Sequence, residues 1–222
     1  MQAIMESIFD VAYLVVAVTL GLLILRKSKG LKQYALFGIM TIILGCGDAF
    51  HLVPRIWALN TTGVANHAAA LGFGTLVTSI TMTVFYVILY HVWRLRYDIQ
   101  GKQWLTAIIY ILSAVRIGLC LFPQNNWLSV DAPLSWGIYR NIPFAALGLI
   151  LVILFFQKRA DKAFRFMWPA ILLSFAFYAP VVLFVDSIPL LGMLMIPKTI
   201  CYVWMICMGY SAVKKQGSGE HK

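Results

Sequence analysis

Charged residues are scarce in this sequence: only 12% of its 222 residues are Asp, Glu, Lys or Arg, and 61% are hydrophobic. A water-soluble domain of this size cannot hide so much apolar surface in its interior. The composition therefore excludes a soluble catalytic domain, and it also excludes disordered and collagen-like chains. It predicts an integral membrane protein.

Cysteine is rare as well, with only four residues in the chain, Cys46, Cys120, Cys201 and Cys207. All four fall within hydrophobic stretches, and none of them forms a C-x-x-C pair. This pattern supports neither a disulfide framework nor a thiolate zinc site. We interpret the cysteines as small packing residues.

Long hydrophobic runs, by contrast, dominate the sequence. A helix needs about 20 apolar residues to cross about 30 Å of hydrocarbon. Seven segments meet this requirement, at about 7–26, 33–56, 68–93, 104–122, 136–157, 165–186 and 188–213. We therefore predict an all-α, polytopic integral membrane protein, with residues 1–222 folded as a single domain of seven transmembrane helices.

Basic residues are concentrated in alternate connections, because most of the 18 Lys and Arg follow the first, third, fifth and seventh segments. The positive-inside rule then predicts an outside N-terminus and a cytoplasmic C-terminus in a multi-pass protein of the cell membrane. The net charge of +10 is explained by membrane retention and by contacts with anionic lipids. We expect membrane lipids and no nucleic acid as partners, and the sequence indicates no particular protein partner.

A few charges fall inside the hydrophobic segments, where each costs roughly 2.5–3.5 kcal/mol at the bilayer centre. Each is therefore a candidate functional residue. Helical rise places all of them between the midplane and the outer face of the membrane. They are Asp48, Arg55, Arg116, Arg140 and Lys198.

In two of these segments a basic residue directly follows a proline. His51 and Arg55 follow Asp48 by three and seven residues, which puts all three on one face of the second helix. Pro54 predicts a kink or an end of that helix. Lys198 directly follows a proline, and we expect backbone carbonyls freed by that proline to lie near its ammonium group.

Two interpretations of these charges remain open. In the first they pair within the protein: Lys198 with Asp48, Arg116 or Arg140 with Asp186 or Asp10, while Arg55 reaches the lipid headgroups. Even so, three acids face four cations. In the second, an anionic lipid or lysolipid in an outward-opening pocket balances the remaining charge, because guanidinium groups suit phosphate and carboxylate. The predicted ligand-binding residues are Arg55, Arg116, Arg140, Lys198, Tyr178 and Tyr202.

The segment Gly47-Asp48-Ala49-Phe50-His51-Leu52-Val53-Pro54-Arg55 resembles the G-D-A-x-x-L-x-P-R stretch of some bacterial lysoplasmalogenases. Members of that family are polytopic membrane proteins that hydrolyse the vinyl ether of lysoplasmalogens, and the resemblance implies an active-site role for Asp48. Such hydrolysis needs a general acid and fixed cations for the phosphate. We therefore consider Asp48 and His51 as candidate catalytic residues of a membrane lipid hydrolase.

Alternative functions use the same residues. A non-catalytic sensor or receptor would bind the amphiphile in the same pocket without turning it over. Seven segments and a lysine midway along the last one are similar to a microbial rhodopsin, which implies a retinal carried by Lys198. Asp48 and His51 at D-x-x-H spacing supply only two ligands for zinc, so we expect no metal site. No cofactor is otherwise predicted.

Overall fold

The computed structural model of the chain describes residues 2–61, 63–129, 132–185 and 187–217. Within these residues, seven helices are long and apolar enough to cross a membrane. The prediction of an all-helical chain with seven segments of spanning length is confirmed. The helices are α1 Gln2–Lys27, α2 Lys32–Asn60, α3 Ala68–Arg96, α4 Gln103–Leu121, α5 Leu134–Gln157, α6 Met167–Phe184 and α7 Met195–Gly217.

The helices form one bundle, in which each helix packs against the next along the chain and α7 returns to pack against α1. The interior is aromatic, and its largest fully buried side chains include Phe37 of α2, Phe85, Tyr86 and Trp93 of α3 and Phe155 of α5. The α2 and α3 helices form the most extensive helix–helix contact of the bundle.

The two ends of the bundle differ in charge. One end, which we call the basic end, carries the lysines and arginines that follow α1, α3 and α5 and those near the end of α7. Contacts across it include an ion pair between Arg96 and Asp161. The opposite end, called the distal end, holds the connections from α2 to α3, from α4 to α5 and from α6 to α7. The candidate site residues lie toward the distal end.

The structure changes the predicted helix boundaries near two prolines. The α2 helix does not end at Pro54 but continues to Asn60, so the predicted end of the helix at this residue is wrong. Residues Pro189–Leu194 form a separate short 3-10 helix, and α7 begins only at Met195. Pro197 therefore lies in the first turn of α7, where N–H groups have no partner in any helix, and it frees no carbonyl for Lys198.

The α2 and α3 helices approach each other closely at Gly74, which faces the backbone of Phe50 and His51. A methyl group added to Gly74 would lie 2.6 Å from the Cα of His51. Backbone atoms cannot move aside without shifting a whole helix. The absence of a side chain at Gly74 thus sets the position of His51.

Gly74→Ala is expected to destabilise the protein by about 1–3 kcal/mol, because the added methyl forces α2 and α3 apart. Gly118→Ala is the matched control, since a methyl there meets no atom within 4 Å outside its own helix. Alanine favours a helix over glycine by about 0.8–1.0 kcal/mol, so the control should be stabilised slightly. Thermal unfolding in neutral detergent measures both variants. Equal stability of the two would contradict the close packing of α2 and α3.

Candidate functional site

Arg116 of α4 is a buried cation, with only 3% of its surface exposed. Its guanidinium carbon lies 3.2 Å from the centre of the Phe144 ring in α5. Its Nε and Nη1 have no hydrogen-bond partner, and no acidic side chain lies within 4.0 Å, among the residues that the structure describes. A cation–π contact contributes about 0.5–2 kcal/mol, whereas burying an ion costs several kcal/mol. The Phe144 ring alone therefore does not balance this charge.

Two further cations lie near Arg116 at the distal end. Arg140 of α5 donates a hydrogen bond from Nη1 to the Oδ1 of Asn125 at 2.8 Å, and its guanidinium carbon lies 4.3 Å from the centre of the Trp127 ring. The Nζ of Lys198 in α7 lies over the rings of two tyrosines rather than beside a carboxylate. Both arginines and this lysine thus rest on aromatic rings.

Tyr178 of α6 connects the three cations. Its ring centre is 4.7 Å from the Nζ of Lys198, and Tyr178 is close enough to Arg116 and Arg140 to interact with both electrostatically. Tyr202 lies on the other side of Lys198, with 5.6 Å between its ring centre and the Nζ. The structure therefore brings five of the predicted ligand-binding residues together. We call them the cation–tyrosine cluster: Arg116, Arg140, Tyr178, Lys198 and Tyr202.

Asp48 is the acidic residue that interacts with this cluster, among the residues that the structure describes. Its carboxylate accepts a hydrogen bond of 2.6 Å from the hydroxyl of Tyr13, a buried residue of α1. Lys198 acts on Asp48 electrostatically, but their charged atoms are more than 4.0 Å apart. The direct ion pair considered for these two residues is therefore absent, and the hydroxyl of Tyr13 is the hydrogen-bond donor to Asp48 instead.

The alternative that pairs every intramembrane charge is also incomplete for the arginines. Asp10 does not pair with Arg116 or Arg140 but lies close to Arg55, on which it acts electrostatically. Asp186, the other acid considered as a partner, lies outside the described residues. Within the described part of the chain, one carboxylate interacts with a cluster of three cations.

Arg55 makes no described contact with Arg116, Arg140 or Lys198, although it lines a cleft beside the cluster. It lines a cleft of about 400 Å³ between α1, α2, α6 and the start of α7, together with Asp10 and His51. Its Nη2 forms an ion pair of 3.0 Å with Glu6 of α1, which lines the same cleft. Sequence spacing does not indicate this pair, because its members are 49 positions apart. The charge of Arg55 is thus balanced within the protein.

His51 presents a defined tautomer in this cleft. Its Nδ1 lies 3.2 Å from the carbonyl oxygen of Leu71 and 3.1 Å from the hydroxyl of Thr75, and that hydroxyl donates to the same carbonyl at 2.8 Å. Because the carbonyl only accepts and the Thr75 proton is already used, Nδ1 must be the donor. The Nε2 of neutral His51 is then an acceptor with no protein partner among the described residues.

The candidate catalytic residues Asp48 and His51 share α2 but make different contacts, since Asp48 meets Tyr13 of α1 and His51 meets Thr75 of α3. No group of three His, Cys, Asp or Glu side chains suited to a metal ion occurs within the described ranges. Phe144, the ring beneath Arg116, is a site residue that the sequence prediction did not include. Its position four residues after Arg140, on the same face of α5, was the available signal.

Comparison with protein-family models, with curated proteins and with solved structures finds no match for the chain. The resemblances to lysoplasmalogenases and to microbial rhodopsins therefore stay predictions. Function has to be argued from the geometry and chemistry of the site itself.

Proposed function

We propose that the protein binds an anionic amphiphile, a lipid or lysolipid, with its headgroup held by the cation–tyrosine cluster. The observation that carries this proposal is the buried guanidinium of Arg116, whose Nε and Nη1 find no partner in the described chain. Such a group forms paired, charge-assisted hydrogen bonds with phosphate or carboxylate. Arg140 and Lys198 add positive charge, and Asp48 offsets only part of it.

The position of the cluster suits a headgroup. Arg116 lies five residues before the end of α4, which is about 7.5 Å along the helix axis. We place the distal end on the outer side of the cell membrane and the basic end in the cytoplasm, supported by the positive-inside rule. A headgroup bound by the cluster lies just below the outer interface, and its hydrocarbon chain extends toward the middle of the bilayer.

Native mass spectrometry in neutral detergent tests this binding with two ligands of equal chain length, lysophosphatidic acid and monoacylglycerol, which differ in the phosphate. We expect lysophosphatidic acid to bind at least about tenfold more tightly than monoacylglycerol. Arg140→Gln should weaken the binding of lysophosphatidic acid by about tenfold. Arg55→Gln is the matched control and should leave binding unchanged, because Arg55 is already paired with Glu6. Equal retention of the two ligands would overturn the proposal.

Hydrolysis of the bound amphiphile is the second candidate function, and the tautomer of His51 favours it. The free Nε2 accepts a proton from a water that attacks the carbonyl carbon of an ester lysolipid. The bond between that carbon and the glycerol oxygen then breaks, and Nε2–H returns the proton to the leaving glycerol oxygen. Tyr178 lines the same cleft and supports Lys198, so the base lies beside the cluster that holds the headgroup. In this arrangement Asp48 accepts a hydrogen bond from Tyr13, and its negative charge offsets part of the positive charge of the cluster.

The same samples separate a hydrolase from a binder. Incubation with a lysoplasmalogen and with an ester lysolipid, followed by mass spectrometry of the products, detects turnover of either class. If the protein is a hydrolase, His51→Gln should abolish product while ligand retention persists. Retention without product in the wild type identifies a binder, and product that survives His51→Gln contradicts the role of His51.

A further inference from the structure

A shallow apolar groove of about 180 Å³ runs between α5 and α6. Its rim includes Ile142 and Leu183, which are 61% and 41% exposed and therefore face the lipid side of the bundle. Along α5 the groove extends from Ile138 to Ala145, a rise of about 10 Å. This volume is below the roughly 300–1,000 Å³ of pockets that enclose a whole small molecule, so it accommodates part of one hydrocarbon chain.

Asn141, one of the side chains that line this groove, has a buried polar atom that an apolar occupant does not explain. The Nδ2 of Asn141 donates a hydrogen bond of 2.8 Å to the carbonyl of Gly137, which fixes the side-chain amide with Oδ1 at its free end. This Oδ1 is buried and has no hydrogen-bond partner among the residues described. An unpaired buried acceptor costs about 1–3 kcal/mol. A ligand that supplies a hydroxyl or N–H donor at this point would recover that cost.

The groove is continuous with the cation–tyrosine cluster. Phe144 and Tyr178 both line the groove. The Phe144 ring also contacts the guanidinium of Arg116, and the Tyr178 ring contacts the ammonium of Lys198. Asn141 directly follows Arg140 in α5. Asn141 and the hydroxyl of Tyr178 are thus the polar groups among side chains that are otherwise apolar along this groove.

We propose that Asn141 determines ligand specificity by accepting a hydrogen bond from a hydroxyl group located between the anionic headgroup and a single hydrocarbon chain. The groove between α5 and α6 holds the first part of that chain and lets it enter from the bilayer. The Phe144 ring lies on one face of the Arg116 guanidinium, and the anion binds at the N–H groups along its edge. This inference rests on the proposed function and specifies its ligand as a single-chain amphiphile with a free hydroxyl next to the anion.

The test compares lysophosphatidic acid with an analogue that keeps the chain and the phosphate but lacks the free glycerol hydroxyl. In neutral detergent the wild type should prefer the hydroxyl ligand by about five- to tenfold, the effect of one hydrogen bond. Asn141→Leu should remove this preference, because it weakens the binding of the ligand with the free hydroxyl and leaves the binding of the analogue unchanged. The variant is expected to fold, because leucine has a similar volume and leaves no unpaired acceptor.

A second variant, Ala179→Phe, fills the groove without touching a polar group. This variant should weaken the binding of both phosphate ligands when their hydrocarbon chains are long. It should change their binding little when the chains are short. Equal binding of the hydroxyl ligand and its analogue by the wild type, or a preference that survives Asn141→Leu, overturns the role of Asn141. Failure of the proposed function is recognised separately, because neither phosphate ligand then binds better than monoacylglycerol.

Discussion

Arg116→Met is expected to stabilise the ligand-free protein and to abolish binding of the anionic amphiphile. Replacing a buried charge by an apolar side chain of similar size is neutral or stabilising by about 1–4 kcal/mol, because the desolvation cost disappears. Binding should fall by about 100-fold or more, since charge-assisted hydrogen bonds of about 1.5–3 kcal/mol each are lost. Opposite changes in stability and function are typical of a residue kept for its ligand.

The measurement is thermal unfolding in neutral detergent together with retention of lysophosphatidic acid. Arg96→Met is the matched control, because Arg96 is also partly buried but has protein partners. Its Nη2 donates to Asp161 at 2.9 Å, and its Nη1 donates to the Tyr34 hydroxyl at 3.4 Å. We expect this variant to be destabilised. If Arg116→Met is destabilised to the same degree, Arg116 has a structural role and the ligand site is wrong.

Asp161→Asn is expected to destabilise the protein by about 2–3 kcal/mol, somewhat less than for a fully buried pair, because it leaves Arg96 without its carboxylate. Asp161 also accepts hydrogen bonds from the hydroxyl of Tyr97 at 2.9 Å and from the backbone N–H of Ala163 at 3.0 Å. These contacts join the end of α3 to the connection between α5 and α6. Both side chains of the ion pair are only 17% exposed, so solvent screens the pair weakly.

The same residue gives the stability a defined pH dependence. Burial opposes ionisation of Asp161, but the hydrogen bonds and charge of Arg96 outweigh it and hold the pKa below its ordinary value of 3.8. A carboxylate whose pKa is lowered by folding contributes its full stability above the unfolded value and loses it as the pH falls. The wild type should therefore lose stability below about pH 4, and Asp161→Asn should lose less over the same range.

Thermal unfolding between about pH 3 and about pH 7 measures this difference. Asp98→Asn is the control at the same end of the bundle, because Asp98 is exposed and its hydrogen bond comes from the Nε2 of Gln100. We expect that variant to follow the wild type at every pH. An Asp161→Asn curve parallel to the wild type would show that the ion pair contributes nothing to stability.

Some of the site was predictable from local spacing. Asp48, His51 and Arg55 fall on successive turns of α2, which the sequence indicates through a helical period. Their partners were not predictable, because Tyr13, Thr75 and Glu6 come from helices whose rotation about their own axes depends on packing. The structure therefore keeps His51 and Arg55 in one cleft, but Asp48 and Arg55 find their partners on α1 and His51 finds its partner on α3.

The sequence by itself determined that the chain is helical, that it has seven segments of spanning length and that certain charges lie inside them. Hydrophobic length and spacing are properties of consecutive residues, so no tertiary information is needed. Only the tertiary structure decided which charges are balanced. Arg55 and Arg116 are both arginines in hydrophobic segments, but the packing of α1 beside α2 gives Arg55 a carboxylate, whereas Arg116 lies against the ring of Phe144 with no described carboxylate within 4.0 Å. Long-range helix packing, which local patterns do not encode, determines which charge has an ion-pair partner in the protein.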